Sequence, residues 1–163
     1  MITVSPAGPG DVGTIAELAA EMDQFYGATE LDPLEIRQDQ ISAALFTDPP
    51  AAWVLLARDG IKAVGFAAYS FLWPAIGLTR SLYLKELYVS QAARRAGVGK
   101  MLMRGLFELA VKNSCSRVEW TTDQGNPDAQ AFYAALDVPV TTSKLFYRIE
   151  GEALRQAAEA PLS

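Results

Sequence analysis

The sequence predicts a mixed α/β (α+β) domain built on seven strands, and three observations carry that prediction. Strand-length apolar runs alternate with stretches whose apolar residues recur every three or four positions. The resulting order is β-α-α-β-β-β-α-β-α-β-β. A strand–helix–strand crossover occurs only in its second half, so the sheet is expected to be mixed and mostly antiparallel. The chain has 163 residues, the size of one domain, which hides roughly 70% of its unfolded surface. Residues 1–163 are therefore read as a single domain, with 151–163 as a C-terminal tail.

Each element follows from a local signal. Ile2 to Ser5 reads as a first strand, broken by Pro6 to Gly10. Asp11 is suited to cap a helix, because its carboxylate can accept from a first-turn amide. Ile15, Leu18, Met22 and Phe25 line one face of that helix, which Gly27 ends. Leu34 to Phe46 gives a weaker helix, stopped by Pro49-Pro50. Trp53 to Arg58 and Ala63 to Phe71 are apolar strands, with Trp53 assigned to the core. Asp59-Gly60 between them signals a tight hairpin. After a loop at Trp73 to Arg80, Ser81 to Ser90 is a strand. A basic, glycine-containing turn at Arg94 to Lys100 leads into a helix that runs to Lys112. Arg117 to Thr122 is the next strand. Asn126-Pro127-Asp128 opens a helix carrying Phe132, Tyr133 and Leu136. Val138 to Thr142 and Lys144 to Ile149 are the last two strands.

Composition narrows the chemistry. Histidine is absent from the sequence, which removes the commonest neutral-pH base and any Ser-His-Asp or Cys-His pair. Proton transfer must fall to a carboxylate, a tyrosine, a lysine or water. The net charge of −5 argues against a broad nucleic-acid surface. One cysteine, Cys115, allows neither an internal disulfide nor a cysteine metal cluster. The N-terminus lacks a basic-then-apolar leader, and apolar runs fall short of the ~18 residues of a membrane span. A soluble cytoplasmic protein without a membrane, metal or nucleic-acid partner is expected.

The chemistry concentrates in Arg94-Arg95-Ala96-Gly97-Val98-Gly99-Lys100. A strand-to-helix turn offers unpaired amides and a partial positive charge to phosphate oxygens. A P-loop would need Gly at 94 and Ser or Thr at 101, where Arg94 and Met101 stand. A dinucleotide fingerprint would need a third glycine where Leu102 stands. An ordinary turn with solvated arginines is the plain alternative. What fits is Arg-x-x-Gly-x-Gly after an apolar strand, and this resembles the pyrophosphate loop of the GNAT superfamily of acyl-coenzyme A N-acyltransferases. The flanks extend the resemblance over nearly the whole chain. Leu82 to Val89 looks like the family's central strand and Val64-Gly65-Phe66-Ala67 like its third. Asn126, five residues, then Phe132-Tyr133 looks like its last motif. The diamine (spermidine/spermine) N-acetyltransferase branch is most similar. Asp137 stands where the family usually has Gly.

The resemblance implies a seven-stranded sheet with a V-shaped splay between central strands, helices on both faces, and acetyl-CoA as co-substrate. Backbone groups of Leu87, Tyr88 and Val89 would hold the pantetheine arm. Arg94, Arg95, Ala96, Gly97, Val98, Gly99 and Lys100 would hold the pyrophosphate, with Asn126 and Tyr133 also on the cofactor. Attack by the amine would be direct, in a ternary complex, with an amide near Leu87 stabilising the oxyanion. Tyr133 fits the family's general acid; its other reading is packing with Phe132 and Leu136. Glu86 is the candidate base, against a salt bridge or water alone. Diamine enzymes carry two adjacent acids where this chain has Lys85-Glu86. Side chains alternate along a strand, so Glu86 replaces an acid at 85 only if a bulge re-aims it.

Glu21, Asp23, Glu30 and Asp32 lie where the family's N-terminal helices wall the acceptor site. Tyr26, Trp73 and Tyr83 could supply aromatic faces for a cation, and Lys85 stands beside them. Solvated helix faces are the plain reading of the acids. The expected activity is N-acetylation of a primary amine on a small, cationic molecule. A catalytically silent acyl-CoA sensor and a peptide or protein N-acetyltransferase are the alternatives. By resemblance the protein is a homodimer, with the last strands and the tail contributing.

Overall fold

The computed structural model describes residues 1–162. It holds two compact units, Met1–Asp123 and the chain from Gln124 onward. The first is built on β1 (Ile2–Pro6), α1 (Val12–Phe25), α2 (Leu34–Leu45), β2 (Trp53–Asp59), β3 (Lys62–Leu72), β4 (Arg80–Val89), α3 (Val98–Lys112) and β5 (Cys115–Glu119). The strands form one sheet in sequence order. The first three pairings are antiparallel and β4–β5 is parallel, joined through α3. A parallel neighbour needs a crossover, which α3 supplies between β4 and β5.

Helices cover both faces of this sheet. On one, Ile15 and Leu18 of α1 pack with Val54, Leu56, Phe66 and Tyr88, and Ile41 and Leu45 of α2 lie against them. On the other, Val98, Leu102, Met103, Leu106 and Ala110 of α3 are buried. A Cβ built on Gly105 would lie 3.1 Å from Leu55 and 3.3 Å from Val4, so a small residue lets α3 approach β1 and β2 closely. The β2–β3 turn has Gly60 at φ 60 with Ile61 behind it, one position later than the hairpin signal suggests.

Several expectations are corrected. The sheet has five strands, because Val138–Thr142 and Lys144–Ile149 form no ladder among the described residues. Strand composition favours a pleated, half-buried surface, but a strand also needs a neighbour's N–H and C=O groups. Pro139 lacks a donor, and residues 139–150 are all exposed. Asp11 caps backward rather than forward: its carboxylate accepts from the Gly8 amide at 2.9 Å and pairs with Arg58 at 2.7 Å. The Gly8 bond, with Arg58 adding to it, lowers the Asp11 pKa against the opposing cost of burial. Trp53 is 38% exposed at the sheet margin, stacked on Tyr69 with centroids 6.1 Å apart. Among the described residues no helix is long and apolar enough to cross a membrane.

The second unit carries α4 (Pro127–Ala134) and α5 (Gly151–Glu159). Asn126 caps α4 by accepting from the Ala129 amide at 3.1 Å. Asp137 leaves that helix in the left-handed conformation, φ 60. The turn thus keeps a backbone geometry that favours glycine, held here by an aspartate.

Candidate functional site

The site begins with a ladder that stops. β5 pairs with Arg80, Ser81, Leu82 and Tyr83 of β4, ending at Tyr83 opposite Glu119. The sequence suggests a strand continuing to Thr122, but residues 120–122 leave β4 instead. From Leu84 to Val89 the β5 side of β4 has no strand partner among the described residues. The Ser90 amide donates to Val64 of β3 at 2.9 Å. Amide directions alternate along a strand, so the Leu87 and Val89 amides point to the open side. The open stretch lies where the resemblance places the splay, past the end of the β4–β5 ladder.

A bulge lies within the same stretch. Tyr69 of β3 pairs with Leu84, while the next residue back, Ala68, pairs with Glu86. Lys85 is therefore the extra residue. Directly paired residues share a face. Tyr83 shares one with Ser70, and Glu86 shares the same one with Ala68, which packs against the α1/α2 core. The bulge thus turns the Glu86 side chain toward the α1/α2 face that an unbroken strand would give to residue 85.

Glu86 stays open to solvent at its surface, yet its pKa is raised above the usual carboxylate value. Desolvation is the main cause. Lys85 pulls the other way, and the negative charges of Asp23 and Asp123 push further up. An acid that holds its proton to higher pH is a stronger base once ionised. Among the described residues no three His, Cys, Asp or Glu side chains are grouped to hold a metal ion.

Beyond Val89, a 3-10 turn at Gln91–Ala93 leads to the basic loop. Gly97 caps α3 at φ 79, and Arg95 is also left-handed at φ 66. For a residue with a Cβ that conformation costs roughly 1–2 kcal/mol. The first amides of α3 have no partner within the helix. A Cβ at Gly97 would meet no atom within 4 Å, so the outer side of the loop is open. Arg95, Gly97 and Lys100 are exposed. Amides, positive charge and open space together fit the pyrophosphate of a coenzyme A group.

Gly65 sits behind this junction. Its ideal Cβ would lie 2.8 Å from the Tyr88 carbonyl, 3.3 Å from Val98 and 3.4 Å from Leu102. The end of β4 and the start of α3 therefore close onto β3 only because residue 65 has no side chain.

Two of the predicted site residues have partners within the protein. Glu21 accepts from the Tyr88 hydroxyl at 2.9 Å and the Gln91 amide at 3.3 Å. Its Oε1 is thus engaged with β4 and the turn. Arg94 places its guanidinium 4.1 Å from the Phe25 ring centroid and 5.8 Å from that of Tyr88, and its Nε donates to the Val89 carbonyl at 3.1 Å. It braces the loop against α1.

The remaining residues are more scattered. Asp23, Tyr26, Glu30 and Asp32 are exposed at the end of α1 and in the α1–α2 connection. Tyr26 meets Phe25 edge-on at 5.2 Å. Trp73 lies in the β3–β4 loop, 66% exposed, its indole N–H donating to Leu78 at 2.8 Å. In the second unit Tyr133 is half-buried and meets Phe132 edge-on at 5.1 Å. The Asn126 side chain is occupied by capping α4. Sequence reasoning missed Asp123 and the Phe25–Arg94 stack. Asp123 lies in an irregular segment after β5 with no local pattern to mark it. Phe25 was visible only as a core-facing helix position.

Comparisons with known proteins agree with this geometry. Residues 15–137 match the family described as the Acetyltransferase (GNAT) family. The thialysine N-epsilon-acetyltransferase of Bos taurus is 26% identical over 168 residues, covering 96% of this chain and 97% of that protein. A protein of the same name from Caenorhabditis elegans is 32% identical, covering 98% of this chain and 96% of its own. Among solved structures, an integron cassette protein from V. cholerae superimposes with a TM-score of 0.90 at 27% identity, covering 98% of each chain. With a family match across most of its length, the chain belongs to the GNAT acetyltransferase family and is an acyltransferase.

Proposed function

We propose that this protein transfers an acetyl group from acetyl-CoA to a primary amine of a small, cationic molecule, by direct attack in a ternary complex. One observation carries the reading: β4 is open along Leu84–Val89, aims Glu86 toward α1 and α2, and runs into the basic α3 turn. Acetyl-CoA supplies a thioester that is already activated, so the protein need only bind, orient and move protons. The Leu87 and Val89 amides hold the pantetheine arm, and the amide near Leu87 donates to the oxygen where negative charge develops. Amides of residues 95–100 hold the pyrophosphate. Glu86, directly or through water, takes the proton that the acceptor ammonium must lose.

For the proton needed by the departing thiolate, the motif Asn126-x5-Phe132-Tyr133 nominates the Tyr133 phenol. Asp23, Tyr83 and the Glu86 carboxylate offer the acceptor a negative, partly aromatic wall. The names of similar proteins, thialysine N-epsilon-acetyltransferase and the D-amino-acid N-acetyltransferase of Saccharomyces cerevisiae, suit an amino-acid-like amine. We read the protein as a homodimer in the cytoplasm, where a single cysteine stays a thiol. Val140, Leu145, Phe146, Tyr147 and Ile149 are large apolar residues left exposed, which suits burial against a second copy.

The test is coenzyme A calorimetry with a panel of amines, acetyl-CoA and free-thiol detection. Expected are coenzyme A binding, turnover of a cationic small amine, and a Tyr133→Phe variant whose kcat falls far more than its amine KM changes. Binding without turnover of any amine would establish a silent acyl-CoA binder, and turnover of peptides alone would overturn the small-molecule reading.

A further inference from the structure

Glu21 is the half-buried acid of α1 that the proposed chemistry leaves without a task. Its Oε1 meets two groups at once, the Tyr88 hydroxyl and the Gln91 amide. These belong to the end of β4 and to the 3-10 turn that feeds the basic loop. Arg94, at the head of that loop, lies on Phe25, one helical turn along α1 from Glu21. The side chains thus form a closed bracket: α1 to β4 through Glu21–Tyr88, β4 to loop through Arg94–Val89, and loop to α1 through Arg94–Phe25.

We propose that Glu21 is a positioning residue for the acyl-CoA loop, holding the Gln91–Arg94 turn in place through Tyr88 and the Gln91 amide. The inference rests on the acetyl-CoA reading above and adds to it a specific division of labour: one acid of α1 serves the cofactor side and leaves the amine to others. The physical basis is that a carboxylate accepting two hydrogen bonds is fixed in direction, and such charge-assisted bonds are about twice as strong as neutral ones. Tyr88 is 2% exposed, so removing Glu21 takes away the partner of a buried hydroxyl. The loop that loses this anchor must be ordered by the ligand itself, which weakens ligand binding. The phenol stays a donor throughout: desolvation and Glu21 push the Tyr88 pKa up to about 12.

Steady-state kinetics of Glu21→Ala, Glu21→Gln, Tyr88→Phe and the Glu21→Ala/Tyr88→Phe pair test this, with both substrates varied. Glu21→Ala is expected to raise the acetyl-CoA KM about tenfold, or ~1.4 kcal/mol, with the amine KM changed less than about twofold. Glu21→Gln keeps an oxygen acceptor and is expected to restore most of the loss. Tyr88→Phe is expected to reproduce part of it, and the double variant to be no worse than Glu21→Ala, as for two groups acting as one unit. Glu21→Gln is conservative enough to report even where Tyr88→Phe perturbs the core. A raised amine KM with an unchanged acetyl-CoA KM makes Glu21 an acceptor ligand and overturns the inference. So does an unchanged KM for both substrates. Wild-type protein that binds no coenzyme A in calorimetry overturns the functional reading as well, which separates the two failures.

Discussion

The two halves of β4 are one continuous strand with opposite duties. Ser81–Tyr83 has a neighbour on each side, β3 and β5. Ser81 and Leu82 there are at most 2% exposed. Leu84–Val89 has β3 alone, plus the bulge at Lys85. A paired half satisfies its amides within the sheet. An open half leaves amides directed at space, an arrangement that costs stability unless water or a ligand meets them. On the proposed reading the chemistry depends on withholding a ladder, and Lys85 marks where the strand changes duty.

Glu86 offers the largest test of that contrast. If the open half carries the chemistry, Glu86→Gln should lower kcat/KM by ~10²-fold, the lower range for a positioned acid or base. The base works ionised, and its raised pKa places the acid limb of the wild-type profile above the ordinary carboxylate range. Wild-type activity should therefore fall as pH drops through that raised value, and the limb should vanish in the variant. The sign for stability is opposite. A raised native pKa means the ionised form is disfavoured by folding at neutral pH, so Glu86→Gln should melt no lower than wild type. An unchanged pH–rate profile would leave water as the base.

Gly65→Ala probes the open half from behind. Its Cβ would meet the Tyr88 carbonyl at 2.8 Å, and backbone cannot yield as a side-chain tip can. Overpacking of this kind costs about 1–3 kcal/mol. Thermal unfolding should show that loss, accompanied by a raised acetyl-CoA KM, because Val98 at the start of α3 is displaced too. A loss of stability with KM intact would uncouple Gly65 from the loop.

The contrast also shows what a sequence can reveal. Local signals were enough for the crossover, the hairpin, the basic turn and the order of nine elements, because spacing, glycine and charge act over a few residues. The Asn126–Tyr133 helix was legible for the same reason. The end of β5 was not, because propensity continues to Thr122 while the ladder stops at Glu119. The last two strands failed likewise: Val138–Ile149 has strand composition and no strand partner among the described residues. The Glu21–Tyr88 bond was not legible, because an acid on an amphipathic helix carries no mark of a partner 67 residues on. The bulge that aims Glu86 could be stated as a condition from the pleat alone. Its presence depends on how β3 and β4 register.

Ser81 supplies the smallest test, and the one that isolates the paired half. It is 2% exposed, and its hydroxyl donates to Glu119 of β5 at 2.8 Å. Ser81→Ala leaves Glu119 with its Arg117 partner at 3.2 Å, so the carboxylate is not stranded. The expected cost is about 1 kcal/mol, the net worth of one such bond. Equilibrium unfolding should show that decrease while kcat and both KM values stay at wild-type levels. A kinetic change from Ser81→Ala would mean that strain passes the Lys85 bulge. The bulge would then connect the two halves of β4 instead of insulating the open one.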